Sequence, residues 1–549
     1  MEKKKIFDEI STFDLAILQD DSAKNTFELM FNFIEDLQQE IFKLKEINQA
    51  FRDEINQLKG EQGKPTIKPN TKTTSRDVST QGREREKKKH TKQAKKEHIQ
   101  IHQTIEVLID KQTLPQDAKL KYWDDVITQD IVFEVKNTCY KLAVYHAASL
   151  GKTFRAKVPD GASYHSKNLQ SFIITLNKVL DVPESKILTL LKSIGVKIST
   201  GSISNILLKY TDIAQLEKQE ILKAGLASSY VQTDITGARV CGKNNYSNII
   251  TNAFFTSYTT TSGKSNLDVL AAFQGLDTKE KLNLRYDNLA IEGLKKAKIS
   301  INDLRQLDLI LKTNEVLILG DFINLIKQKI PDLYHKKNIL IKIKSALALA
   351  YYTYQDEIPK VYCLVSDNAP EYHKIAIEHQ ALCWVHDARY YKKLQPVLER
   401  HQEKLADFTA QYWEFYKSLL NYKKTPNTLL AYKISADFDT LFTIKTNYFQ
   451  LDKLINKTFK NKDKLLIVLV KPEIPLHNNL AELGARRKVR KRDISYHTMS
   501  NLGTTCLDAF MTITQTAIQL NVDVFQYIKQ MINGDQNRET LAELIRAKG

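Results

Sequence analysis

Cysteine is scarce in these 549 residues. There are five, Cys139, Cys241, Cys363, Cys383 and Cys506, and no two stand at C-x-x-C spacing. That excludes a disulfide-stapled scaffold and points to a reducing compartment. Long apolar runs are missing as well. LLIVLV at Leu465–Val470 is strand-sized, far short of the roughly 20 residues that cross a bilayer. The start, MEKKKIFDEI, is charged from its second residue and lacks the apolar centre of a signal peptide. A cytoplasmic protein with no membrane partner is expected. Acidic residues are outnumbered, 64 Asp and Glu against 81 Lys and Arg, for a formal charge of +17. Such a surplus favours a polyanionic partner, nucleic acid before an acidic membrane face. What is present is ordinary: 42% apolar and 26% charged residues exclude an entirely disordered chain. At roughly 150 residues per domain, the length implies three or four units.

Residues 1–60 read as an N-terminal helix and coiled coil. Phe27, Met30, Ile34, Leu37, Ile41, Leu44, Asn48, Phe51, Ile55 and Leu58 follow at alternating steps of three and four, an a/d seam. Asn48 at an a position fixes register and favours a parallel pair. The alternative is an amphipathic helix packed on its own domain. Residues 61–98 form a basic flexible linker, with twelve Lys/Arg against five Asp/Glu and Lys87, Lys88 and Lys89 at its centre. It can hold DNA phosphates without reading sequence or serve simply as a solvated tether. Residues 99–160 read as a small strand-rich domain, through VITQDIVFEV and YKLAVYHA. Residues 161–212 read as helical and helix-turn-helix-like: a helix, a Gly195 turn, and a second helix capped by Ser199 or Thr200. Ser199, Thr200, Ser202, Ser204 and Asn205 would then face a DNA groove while Ile198, Ile203, Ile206 and Leu207 pack inward. An ordinary helical hairpin is the competing reading.

Residues 213–549 carry the candidate chemistry. SSYVQTDITGARV is a strand with Asp234 near its end, KVYCLVSDNAPEY a strand ending in Asp367, and LHNNLAELGARRKVRKRD a helix carrying Glu482 and, four residues on, Arg486. Carboxylates after two strands and on a helix make a hard-oxygen set suited to Mg²⁺, and two such ions can drive an in-line phosphoryl displacement. One Asp after a strand is by itself only a turn residue.

These blocks together, in order, resemble the DDE transposases of the IS66 type. TDITGARV resembles the family's first-acid strand. LVSDNAPEY with CWVHDARYYKKL resembles the second-acid block and its C-x-x-H-x-x-R, placing Cys383, His386 and Arg389. NNLAELGARRKVRKRDISYHTMSNLG resembles the third, matching Asn478, Asn479, Glu482, Arg486, Ser500 and Gly503. The resemblance implies an RNase H-like catalytic domain within a multidomain α/β chain. Asp234, Asp367 and Glu482 would be catalytic and would hold two Mg²⁺ or Mn²⁺ ions. His386, Arg389, Asn478, Asn479 and Arg486 would be auxiliary. It also implies double-stranded DNA as partner, both element ends and target, with a dimer or higher oligomer and helper proteins of the same element.

Two departures stand out. The family's C-x-x-C zinc module has no counterpart, so no zinc is expected. The acids are widely spaced, 133 residues from Asp234 to Asp367 and 115 from there to Glu482. Helical insertions near 276–355 and 388–464 are therefore implied. Asp321, after VLILG, rivals Asp367 but lacks the C-x-x-H sequel and ranks below it. Arg487, Lys488, Arg490, Lys491 and Arg492 read as a DNA track beyond the third acid.

Overall fold

The structure, a computed structural model, describes residue 13 and residues 15–58, 100–110, 119–157, 159, 164–373, 375 and 378–548. The basic linker with Lys87, Lys88 and Lys89 lies outside the described residues. Helix α1 (Asp21–Leu58) is continuous over 38 residues, as its heptad pattern and lack of Gly and Pro require. Its first half docks on the chain's own later helices. Glu35 is fully buried there and accepts the backbone N–H of Val397 and of Leu398, both at 2.8 Å, at the start of the helix Glu399–Lys424. A carboxylate at that position satisfies orphan amides and meets the positive end of the helix dipole. Asn32 accepts from Phe449 N at 2.8 Å. Beyond this contact the seam residues Leu37, Ile41, Leu44, Phe51 and Ile55 are exposed in the single chain.

The stretch 99–160 corrects the expectation of a strand-rich domain. Its described residues form one hairpin, β1 (Val144–Ala147) with β2 (Lys152–Arg155). VITQDIVFEV takes no strand, and Val126, Ile131 and Val132 stand exposed. A β-prone run needs a partner strand and a surface to cover, and here it has neither. Helix α2 (Lys167–Ile174) passes through a π-helical turn at Thr175–Val179. It is followed by α3 (Glu184–Ser193), α4 (Thr200–Lys209) and α5 (Thr211–Leu226). Gly195 turns the chain between α3 and α4 at φ +90°, and the Ser199 side chain caps α4 by accepting Ser202 N at 3.1 Å. Ile198, Ile203, Ile206 and Leu207 are buried; Ser199, Thr200 and Asn205 are exposed, and Ser202 and Ser204 are half-buried.

The central sheet is mixed, with strand order β5-β4-β3-β8-β9. β3 (Val231–Val240), β4 (Lys243–Thr251) and β5 (Thr256–Thr261) form an antiparallel meander. The β3–β4 turn is Cys241-Gly242, both at positive φ, so it falls two residues earlier than the polar GKNN suggests. Between β5 and the next central strand lies the first insertion. Its helices, among them Asn288–Lys296, Ile301–Ile310 and Lys337–Tyr354, enclose a core of their own around Leu294, Leu307, Phe322 and Ile343. A short pair, β6 (Asn283–Arg285) and β7 (Val316–Ile318), lies beside that core. Asp321 is exposed on this insertion, away from the sheet.

β8 (Cys363–Ser366) then runs parallel beside β3, and β9 (His379–Leu382) parallel beside β8. Next comes α6 (Trp384–Lys392). The second insertion follows, its helices packed around Trp384, which lies within 6.4 Å of Tyr412, Phe415 and Phe442. LLIVLV belongs here and is a helical turn running into a 3₁₀ turn, not a strand, because no sheet edge is open to it. Helices α7 (Asn479–Ser495) and α8 (Asn501–Gln519) close the sheet.

Edge strand β5 pairs with β4 on one side and with side chains of α8 on the other. The N–H groups of Thr256, Tyr258 and Thr260 donate to Thr516 Oγ1 (3.2 Å), Thr512 Oγ1 (3.0 Å) and Asp508 Oδ2 (2.6 Å). Two strand residues advance about 6.6 Å and four helix residues about 6 Å, so the two rows stay in step. The edge is thereby closed to other strands. The helices of 161–212 share one continuous core with this sheet, from Ile173 and Ile203 through Val231 and Ile250 to Phe510 and Ile545. Among the described residues no helix is long and apolar enough to cross a membrane.

Candidate active site

The sheet brings Asp234, Asp367 and Glu482 to one place. Asp234 lies on β3 opposite Ile249, Asp367 directly follows β8 on the neighbouring parallel strand, and Glu482 sits in the first turn of α7. Helix α7 is held against β3 at its start: Gln232 Oε1 accepts Leu480 N at 3.1 Å, and Asn478 Nδ2 donates to the Thr233 carbonyl at 3.5 Å. Gln232 escaped the sequence reading, although it shares a β3 face with Asp234 by two-residue spacing. Farther along, Gly484 lets α7 lie on β4; a Cβ there would stand 2.9 Å from Ile249 Cγ2.

Burial is the main reason the Asp234 carboxyl is pushed up to about 6, and the negative charges of Asp367 and Glu482 push the same way. Its Oδ1 accepts the adjacent Ile235 N–H, which, with the Arg389 charge, opposes the rise. Asp367 Oδ1 accepts Ala369 N at 3.2 Å, the turn role any such Asp can play. Among the described residues no three His, Cys, Asp or Glu side chains are close enough to hold a metal ion. Glu482 is instead engaged by cations. Arg389 Nη2 donates to Oε1 at 3.0 Å and Oε2 at 3.4 Å, Arg486 Nη2 lies 3.6 Å from Oε2, and His386 Nε2 lies 3.6 Å from Oε1.

His386 and Arg389 project from α6, one turn apart, with Arg389 Nη1 2.7 Å from His386 Nε2. His386 was read as a partner of phosphate or of Asp367; its hydrogen bond goes to Arg389. Burial, then the Arg389 charge, lowers the His386 pKa. Asn478 lies close enough to His386 to favour its protonated form. Cys383 is buried where α6 begins, its N–H donating to the Ser366 carbonyl at 3.0 Å, and burial pushes its thiol up to about 11. Cys383 therefore joins α6 to β8 and is inert as a nucleophile. Asn479 is half-buried and donates its N–H to His477 Nδ1 at 3.4 Å. Ser500 caps α8 by accepting Gly503 N at 3.0 Å.

The basic run after Glu482 corrects the reading of a continuous DNA track. Lys488 is buried and ion-paired to Asp508 at 2.5 Å, and Lys491 is buried against Asp181 and the Asn177 carbonyl. Arg487 pairs with Asp181 at 2.6 Å, and Arg492 Nη1 donates to the Gly237 carbonyl at 2.7 Å. A helix lying on a sheet and roofed by other helices exposes a single narrow face. On α7 that face keeps Arg486 and Arg490 exposed. Asp181 and Asp508, the buried counter-charges, carried no signal in the sequence because each is far from its partner along the chain.

Residues 356–505 match the Transposase IS66 family. That span contains Asp367, the C-x-x-H-x-x-R block and Glu482, while Asp234 precedes it. The chain is 28% identical over 333 residues to uncharacterized protein y4jO of Sinorhizobium fredii (strain NBRC 101917 / NGR234), covering 60% of this chain and 100% of that protein. No solved structure matches the chain. Helix α6, helix α7 and the strand end bearing Asp367 thus belong to a domain of the IS66 transposase family.

Proposed function

We propose that the protein is a DNA transposase that binds the ends of its element, cuts strands and joins them to target DNA by a DDE mechanism. One observation carries the reading: Asp234, Asp367 and Glu482, far apart in sequence, converge across β3, the end of β8 and the start of α7. The strand order β5-β4-β3-β8-β9, antiparallel on one side and parallel on the other, supports an RNase H-like catalytic domain. The donor set is all carboxylate oxygen, and its mutual repulsion raises Asp234, as expected of acids that share a cation. Mg²⁺ or Mn²⁺, two ions held by these three residues, would supply activation of the attacking oxygen and charge neutralisation at the phosphate. The chain's own side chains do the rest. Arg486 and Arg389 neutralise and orient a phosphate beside the acids, and His386 positions Arg389. Asn478 and Gln232 keep α7 on β3. The helix pair α3–α4 presents Ser199, Thr200, Ser202 and Asn205 to double-stranded DNA, and the exposed seam of α1 joins two copies.

The test is cleavage of a plasmid carrying the inverted repeats that flank the coding region. Asp234→Asn, Asp367→Asn and Glu482→Gln should each abolish Mg²⁺-dependent cutting and joining while leaving end binding intact. Full cutting by the Asp367→Asn protein refutes the assignment. The arginine contact on Glu482 favours a second reading, a DNA-binding protein of transposase descent that does not cut. End binding by the wild-type chain without cleavage would establish it.

A further inference from the structure

The Glu482 carboxylate has both oxygens taken by one guanidinium. Arg389 Nη2 reaches Oε1 and Oε2, and its Nη1 rests on His386 Nε2 at 2.7 Å. A nitrogen that accepts from a guanidinium N–H carries no proton of its own, so the His386 proton sits on Nδ1. That atom is buried without a partner of hydrogen-bond geometry, as is Asn478 Oδ1, and the Asn478 side chain neighbours the imidazole. Asn478, His386, Arg389 and Glu482 therefore form a chain of contacts from β3 to α7. Its members differ in exposure: the Glu482 side chain is 17% exposed and that of Arg389 44%. Arg389 enters the site from the open side, where a nucleic-acid backbone would lie. Its base on α6 stays fixed, because Asp387 and Trp384 are anchored in the second insertion.

Resting on the reading of Asp234, Asp367 and Glu482 as a divalent-cation site, we propose that Arg389 is a latch on the third carboxylate. Its guanidinium occupies the cation's place on Glu482 until a DNA phosphate draws it away. A guanidinium fork fits carboxylate and phosphate equally well, so the exchange keeps two charge-assisted hydrogen bonds throughout. The latch accounts for the lack of a closed ligand cluster among the described residues despite the convergence of the acids. It also gives His386 a task, holding the guanidinium in the plane of Glu482. Loading is thereby coupled to substrate, which guards against cutting DNA that is not seated.

The experiment is Mn²⁺ titration of the full chain followed by electron paramagnetic resonance, with Glu482→Gln as control. Arg389→Ala should bind Mn²⁺ on the order of tenfold more tightly than wild type, the scale of losing one partly buried competing charge. Arg389→Lys, charged but without the fork, should fall between them. A short DNA duplex should raise the affinity of wild type toward that of Arg389→Ala and leave the variant unchanged. Misfolding of the variant would weaken Mn²⁺ binding, opposite to the expected direction. Equal or weaker binding by Arg389→Ala, with wild type binding normally, overturns the latch alone. No binding by either protein, with Glu482→Gln indistinguishable, overturns the cation site and the latch with it.

Discussion

Asp387 sits on α6 between the two residues that reach Glu482, and its neutral replacement should change the protein's stability with pH. Its carboxylate is buried and accepts from Thr458 Oγ1 at 2.8 Å and Tyr412 OH at 3.2 Å, two hydroxyls of the second insertion. Burial dominates these bonds and pushes the carboxyl up to about 6. A carboxyl that titrates higher in the folded than in the unfolded chain stabilises the fold fully only below its unfolded value, near 4. That contribution is lost as pH rises through about 6. The rise corresponds to about 3 kcal/mol at the limit. Asp387→Asn keeps an oxygen acceptor for both hydroxyls and carries no titrating proton. Relative to wild type it should be equal or slightly weaker at pH 4.5 and more stable by about 2 kcal/mol at pH 7.5, once its added N–H groups are discounted. Other acids cancel in the difference. Urea unfolding followed by tryptophan fluorescence reads this unit directly, since Trp384 and Trp413 both pack in it and the third tryptophan, Trp123, lies elsewhere. A difference between the two proteins that is the same at both pH values would refute the reasoning.

Two further perturbations probe the frame around the site. Thr512→Val preserves shape but removes the acceptor for Tyr258 N–H on β5; about 1–3 kcal/mol should be lost, and the β5 amides should exchange faster by hydrogen exchange. Asp181 lies at φ +59°, a conformation Asn also adopts, and carries the counter-charge for Arg487 and Lys491. Asp181→Asn should therefore cost about 3 kcal/mol by chemical denaturation, and a double variant with Arg487→Met should recover most of that loss; strict additivity would show that no pairing exists.

The three acid blocks were legible because each joins a strand or helix pattern to a local motif, as in LVSDNAPEY before CWVHDARYY. The caps of α4 and α8 were legible for the same reason: Ser199 and Ser500 act on residues three positions away. The strands expected in 99–160 were misread because β propensity records only a readiness to pair. The six basic residues of Arg486–Arg492 were read as one surface since a charge run says nothing of which turn faces a roof.

By itself, then, the sequence determined the elements whose signals are local: the long heptad helix, the capped helix pair, the acid-bearing strands and the two helical insertions. Tertiary structure alone decided which partners those elements met. It turned Glu35 from a polar heptad position into a buried helix cap, Lys488 and Lys491 from a DNA track into core ion pairs, and Arg389 from an auxiliary residue into the occupant of Glu482. Helix and strand propensities act over a few residues, whereas burial and charge pairing depend on segments more than a hundred positions apart.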